Sequence, residues 1–174
     1  MAQIYLIGFM GTGKSSVARA LATRMELPCR DMDEEIIRKT GMSVSDYFEE
    51  KGEEAFRDVE HEVLEELSRK EDAVISCGGG AVLRMDNLEC MHREGTTFLL
   101  TATPETVLQR VKHDNRRPLL KGKKNVEAIA ALMEERVPFY EKAADYHVQT
   151  DEKTPTEIAE KIQSILENKS RNEN

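Results

Sequence analysis

The sequence predicts an α/β fold in three layers, a parallel sheet with helices on both faces. Short apolar runs alternate with amphipathic segments of helical period along the chain. A glycine-rich loop stands between the first apolar run and the first helical pattern, and threonine–proline pairs open two later helices. No internal repeat breaks the alternation. The 174 residues are expected to form one domain with enough chain for a core.

The elements follow in order. Gln3-Ile4-Tyr5-Leu6-Ile7 reads as a buried strand. Gly8-Phe9-Met10-Gly11-Thr12-Gly13-Lys14-Ser15 then fits G-x-x-x-x-G-K-S, and Val17, Leu21 and Met25 recur at helical spacing behind it. Strand, loop and helix form the context that this motif requires. Glycines let the backbone fold around a polyphosphate, with amide N–H groups pointing inward at a helix N-terminus. Lys14 can reach the β- and γ-phosphates, and the Ser15 hydroxyl can ligand Mg²⁺. Gly11, Thr12, Gly13, Lys14, Ser15 and Ser16 are the expected nucleotide-binding residues of this loop.

Leu27-Pro28-Cys29-Arg30 reads as a second strand, followed by Asp31-Met32-Asp33. If the strand persists, residues two apart project to the same side and both carboxylates face one cleft. One could then serve Mg²⁺ through water while the other accepts a hydrogen bond or a proton from an acceptor hydroxyl. The competing reading is an acidic turn capping a helix that starts near Glu34. Phe56, Val59, Val63 and Leu67 step by three or four along an otherwise charged helix, where Arg57 could equally belong to a solvated face.

Ala73-Val74-Ile75-Ser76 is the next strand, followed by Cys77 and Gly78-Gly79-Gly80. Glycine costs backbone entropy, so three in succession after a buried strand suggest close approach to a ligand or a strained turn. Thr96 to Thr101 and Tyr146 to Gln149 supply two more strands. Thr103-Pro104 and Thr154-Pro155 each place an N-cap before a proline at the first helical position, and Glu157 completes a capping box behind Thr154. Ile158, Ile162, Ile165 and Leu166 form the stripe of a terminal helix, and the tail from Asn168 to Asn174 is expected to fray.

Composition narrows the function classes. A net charge of −8 argues against a nucleic-acid surface. Lys112, Arg116, Arg117, Lys121, Lys123 and Lys124 nevertheless crowd one stretch, which suggests an anionic ligand or a solvated loop. There is no apolar run of about eighteen residues and no signal-peptide pattern, so a cytoplasmic protein without membrane association is expected. Cys29, Cys77 and Cys90 lie apart, without metal-ligand spacing, and are expected to be buried thiols. The four histidines are scattered, so no zinc site is expected. The Asp-x-x-Gly and Asn-Lys-x-Asp signatures of a GTP switch are absent from the sequence.

The phosphate loop, Asp31-x-Asp33, Gly52-Glu53-Glu54-Ala55-Phe56-Arg57, Gly78-Gly79-Gly80, Arg117-Pro118-Leu119-Leu120 and Glu135-Arg136-Val137-Pro138-x-Tyr140 occur in the order seen in shikimate kinases. The chain resembles that family from about residue 4 to residue 160. Each piece is weak alone; together, at this spacing, they are specific. The resemblance implies a nucleoside-monophosphate-kinase-like fold with a five-stranded parallel sheet in the order 2-3-1-4-5. It also implies Mg²⁺-dependent transfer of the ATP γ-phosphoryl group to the 3-hydroxyl of shikimate by a single kinase domain, and a monomer is expected. Within that domain a shikimate-binding subregion would span about 33–61 and a lid about 112–125.

By the same resemblance Asp33, Arg57, Gly79 and Arg136 match shikimate-binding positions. Two arginine forks suit one carboxylate, and Asp33 with a backbone amide at Gly79 suits hydroxyls. Asp31 matches a residue that holds Mg²⁺ through water beside Ser15, Arg117 a lid arginine on the ATP phosphates, and Arg110 with the loop from Thr150 to Pro155 the region that flanks adenine. Lys14, Asp33 and Arg117 are the expected catalytic set, with Asp33 either taking the hydroxyl proton or only positioning the acceptor. Phe9, Thr12 and Ser16 depart slightly from the family loop. A gluconate kinase, which also takes a polyhydroxy carboxylate, is the nearest alternative. Adenylate kinase and a non-catalytic nucleotide-binding domain fit less well.

Overall fold

Strand β1 (Gln3–Ile7) is buried along its whole length and shows why the fold has three layers. Side chains alternate across a strand, so Ile4 and Leu6 enter one core and Tyr5 and Ile7 the other. A strand apolar on both faces needs cover on both. The structure, a computed structural model, describes residues 3–112 and 125–174.

Five strands form one sheet in the order β2-β3-β1-β4-β5. They are β1, β2 (Cys29–Asp31), β3 (Val74–Ser76), β4 (Gly95–Thr101) and β5 (Tyr146–Gln149), and every pairing is parallel. Ile4 pairs with Val74 on one side of β1 and with Thr96 on the other, which puts β1 at the centre. The phosphate loop therefore leaves the middle of the sheet, at the carboxyl end of a central strand.

On one face lie α1 (Lys14–Met25) and α8 (Pro155–Asn172), with Val17, Leu21, Ile158 and Ile162 packed against Leu6, Phe98 and Val148. The other face carries α4 (Glu53–Lys70), α5 (Met85–Glu94) and α7 (Val126–Ala143). Val63, Leu64, Leu67, Met91 and Ile129 meet Tyr5 and Ile75 there. Burying each such side chain contributes about 1.5–3 kcal/mol before chain entropy is set against it. Helices α2 (Met32–Thr40) and α3 (Val44–Lys51) form a ledge beyond the end of β2, and α6 (Pro104–Val111) follows β4.

Helix starts obey the capping chemistry. The Thr103 and Thr154 hydroxyls accept from the N–H groups of Thr106 and Glu157, with Pro104 and Pro155 at the first helical positions. Three expectations need correction. The second strand does not persist to Asp33: it ends at Asp31, which caps α2 from Met32, so the competing reading of an acidic turn capping a helix holds, with the start two residues earlier than Glu34. The tail does not fray at Asn168, because α8 runs to Asn172 and Lys169 Nζ donates to Thr96 Oγ1 at 3.2 Å. Cys77 and Cys90 are buried, but Cys29 is only half-buried. Among the described residues no helix is long and apolar enough to cross a membrane.

Candidate active site

The loop from Gly8 to Ser15 takes its shape from glycine. Gly8 has φ +148°, and a Cβ there would lie 2.4 Å from the Leu100 carbonyl oxygen, so only hydrogen fits. Gly13, at φ 90°, is the N-cap of α1 and turns the chain into the helix. The first-turn N–H groups of α1 thus open toward a cavity of about 750 Å³. Lys14, Ser15, Asp31, Asp33 and Arg110 are among its lining residues.

Within this cavity Lys14 Nζ donates to the carbonyls of Gly8 at 2.6 Å and Phe9 at 3.1 Å, folding back over the loop. The Ser15 hydroxyl donates to Asp31 Oδ2 at 2.7 Å. The other oxygen, Asp31 Oδ1, accepts the Glu34 N–H at 3.2 Å, so one carboxylate joins the phosphate loop to the start of α2. Asp33 lines the same cavity from the first turn of α2. The helix brings the two aspartates to one cavity, which strand alternation was expected to do.

Gly11, Gly13 and Ser16 line the cavity, whereas the Thr12 side chain turns inward and donates to the Phe9 carbonyl at 2.8 Å. Arg110 NH1 donates to the Gly11 carbonyl at 3.0 Å and to Thr150 Oγ1 at 3.2 Å, tying α6 to both the phosphate loop and the chain beyond β5. Arg117 lies outside the described residues, as does the segment 113–124 of the expected lid.

Arg57, Gly79 and Arg136 are not among the lining residues of that cavity. They form a second, buried cluster around the glycine triplet. Arg57 is 8 % exposed and Arg136 4 %, so Arg57 does not sit on a solvated face. A Cβ on Gly80 would fall 2.3 Å from Arg57 NH2, and one on Gly79 would fall 3.5 Å from Arg136 NH1. One on Gly78 would lie 2.8 Å from Glu60 Oε2 and 3.5 Å from Asp33 Oδ1. Gly78 makes room for Glu60 and Gly80 for Arg57, whereas a Cβ on Gly79 would meet Arg136 only in ordinary contact; Asp33 links this cluster to the first cavity.

Glu60 was not singled out by the sequence. It is buried, and its Oε1 accepts from Arg57 NH1 at 2.8 Å. Its signal was spacing: a carboxylate three residues after an arginine on one helix. Burial pushes the Glu60 carboxyl above its ordinary range despite the neighbouring guanidinium. Arg57 Nε and Arg136 NH1 are buried without a hydrogen-bond partner among the described residues. Unpaired guanidinium donors at such depth are costly unless something accepts from them. The Arg57 Cζ stands 5.2 Å from the Phe56 ring centroid and the Arg136 Cζ 5.9 Å from that of Phe9, faces that favour a cation.

The donor set can hold a small hard cation. Ser15 Oγ and Asp31 Oδ2 are adjacent oxygens at the mouth of the phosphate loop. Mg²⁺ takes few protein oxygens and fills its shell with water and phosphate oxygens, so this pair fits it.

A family model described as shikimate kinase matches residues 10–167. The shikimate kinase of Caldicellulosiruptor bescii is 41 % identical over 165 residues, covering 95 % of each chain. The structure of the Acinetobacter baumannii shikimate kinase in complex with shikimate superposes with a TM-score of 0.92 at 38 % identity, over 97 % of this chain and 95 % of that one. A gluconokinase from Sinorhizobium meliloti, at 20 % identity and a TM-score of 0.65 over 98 % and 94 % of the two chains, shares the fold alone. The chain belongs to the shikimate kinase family.

Proposed function

We propose that the protein transfers the γ-phosphoryl group of ATP to the 3-hydroxyl of shikimate, giving shikimate 3-phosphate and ADP. One observation carries this reading: two buried arginines, Arg57 and Arg136, hold unpartnered donors around a glycine triplet beside a phosphate loop. A carboxylated, hydroxylated ring satisfies both features. Its carboxylate would accept the two guanidinium forks, and its hydroxyls would meet Asp33 and the Gly79 N–H.

Phosphoryl transfer asks the protein for alignment and charge neutralisation rather than covalent chemistry. Lys14 leaves the Gly8 and Phe9 carbonyls to meet the β- and γ-phosphate oxygens, while the loop N–H groups cradle them. Ser15 directly and Asp31 through water would hold Mg²⁺, which supplies further neutralisation of the phosphate charge when bound. Asp33 would orient the acceptor hydroxyl, either taking its proton or only positioning it. Arg117 would cover the phosphates from the lid, and Arg110 with Thr150 would flank the adenine. The working unit is one monomeric kinase domain in the cytoplasm, with an acceptor subregion at about 33–61 and a lid at about 112–125.

A coupled ADP-release assay with ATP, Mg²⁺ and either shikimate, gluconate or AMP tests the reading. Shikimate should turn over robustly and the other two slowly. Gluconate turnover equal to or faster than that of shikimate overturns it.

A further inference from the structure

Three glycines in succession give a chain wide conformational freedom, yet the proposed acceptor site needs the Gly79 peptide at a fixed place. The loop is pinned at its two ends. Cys77 N–H donates to the Leu6 carbonyl at 3.0 Å, and Asn87 Nδ2 donates to the Ala81 carbonyl at 2.8 Å. The bonds from Ala81 N–H to the Gly78 carbonyl and from Leu83 N–H to the Gly80 carbonyl are local turns. At the middle residue, the Tyr140 hydroxyl donates to the Gly79 carbonyl at 2.7 Å across 61 residues of sequence.

Tyr140 is 5 % exposed and lies one helical turn after Arg136 on α7, so the two share a face. We propose that Tyr140 is a positioning residue for the acceptor: its bond to the Gly79 carbonyl fixes the spacing between the Gly79 peptide and the Arg136 guanidinium. Helix α7 thereby carries both halves of one binding device, a cation and the strut that sets its distance from a backbone donor. Burial pushes the phenol above its ordinary range, which keeps it protonated and donating. The inference rests on the proposed function and assigns Tyr140 no contact with substrate.

The test is Tyr140→Phe, which removes one hydroxyl and keeps the ring in the core. The KM for the acceptor should rise about three- to tenfold, the loss of one neutral hydrogen bond, with the KM for ATP and kcat within about twofold of wild type. A role confined to stability would not split the two KM values. In the enzyme without substrate, hydrogen exchange should quicken in a peptide spanning 77–83 and stay unchanged in β1 and α1. An unchanged acceptor KM, a parallel rise in both KM values, or unchanged exchange in 77–83 each overturns the proposal. The preference of the wild type for shikimate over gluconate tests the functional reading separately. The Tyr140 effect is read on whichever acceptor the wild type turns over.

Discussion

Arg57 and Glu60 lie one turn apart on α4, both buried, with NH1 and Oε1 at 2.8 Å. A pair at this depth stabilises little by itself, because removing two charges from water costs about what their attraction returns. Its use is geometric. The bond fixes the guanidinium against Gly80 and leaves Nε for another acceptor.

Glu60→Gln should keep the shape of this contact and lose its charge. The KM for shikimate is expected to rise about fivefold, since a neutral acceptor holds a guanidinium about 1 kcal/mol less well than a carboxylate. The pH dependence has a defined sign. Glu60 titrates higher in the folded protein than the roughly 4.3 of an unfolded glutamate, so its contribution is full below that value and is lost as pH rises through the folded one. The melting temperature of Glu60→Gln relative to wild type should therefore climb between pH 4 and pH 8. A relative melting temperature that falls over this interval contradicts the assignment.

Arg136→Lys should weaken shikimate by about tenfold to a hundredfold, the equivalent of about 1.5–3 kcal/mol, and leave ATP affinity nearly intact. Lysine keeps the charge but loses the planar fork. Separate titrations of the two ligands by calorimetry check this. Weaker ATP binding with unaltered shikimate binding would move Arg136 to the nucleotide side.

Lys14→Met should lower kcat by several orders of magnitude, because the transferring group loses its cation in the transition state. Single-turnover kinetics measure the step directly. A near-normal rate removes Lys14 from the mechanism.

Two glycine substitutions should fail differently. Gly80 has φ −101°, open to alanine, and its added Cβ would press on the guanidinium end of Arg57. Gly80→Ala should therefore fold and show an impaired KM for shikimate. Gly8→Ala sets a Cβ against the Leu100 backbone at φ +148° and should lose on the order of 1–3 kcal/mol of stability. Denaturant unfolding beside steady-state kinetics distinguishes them, and equal stability losses in both would contradict the argument.

The sequence by itself determined the architecture and marked the glycine-rich loop of the candidate site. Buried strands, capped helices and the glycine-lysine-serine loop are local signals, set by periodicity, by the missing N–H of proline and by glycine at positive φ. Asp31 and Asp33 were legible as a pair, but their route to one cavity was not. Whether the strand runs on past Asp31 or a helix starts there turns on competition between a sheet edge and the bonds of Asp31 to Ser15 and Glu34. The resemblance also named Arg57, Gly79 and Arg136, but only tertiary structure joined them in one buried cluster. Arg57 reads on α4 like any charged residue of an amphipathic helix, and only packing against Gly80 and Phe56 shows it to be buried. Glu60 and Tyr140 gain their meaning from partners supplied by the fold, a guanidinium one turn away that must be charge-balanced and a glycine carbonyl 61 residues distant. Burial and long-range hydrogen bonding depend on where other segments come to rest, and a linear pattern does not carry that information.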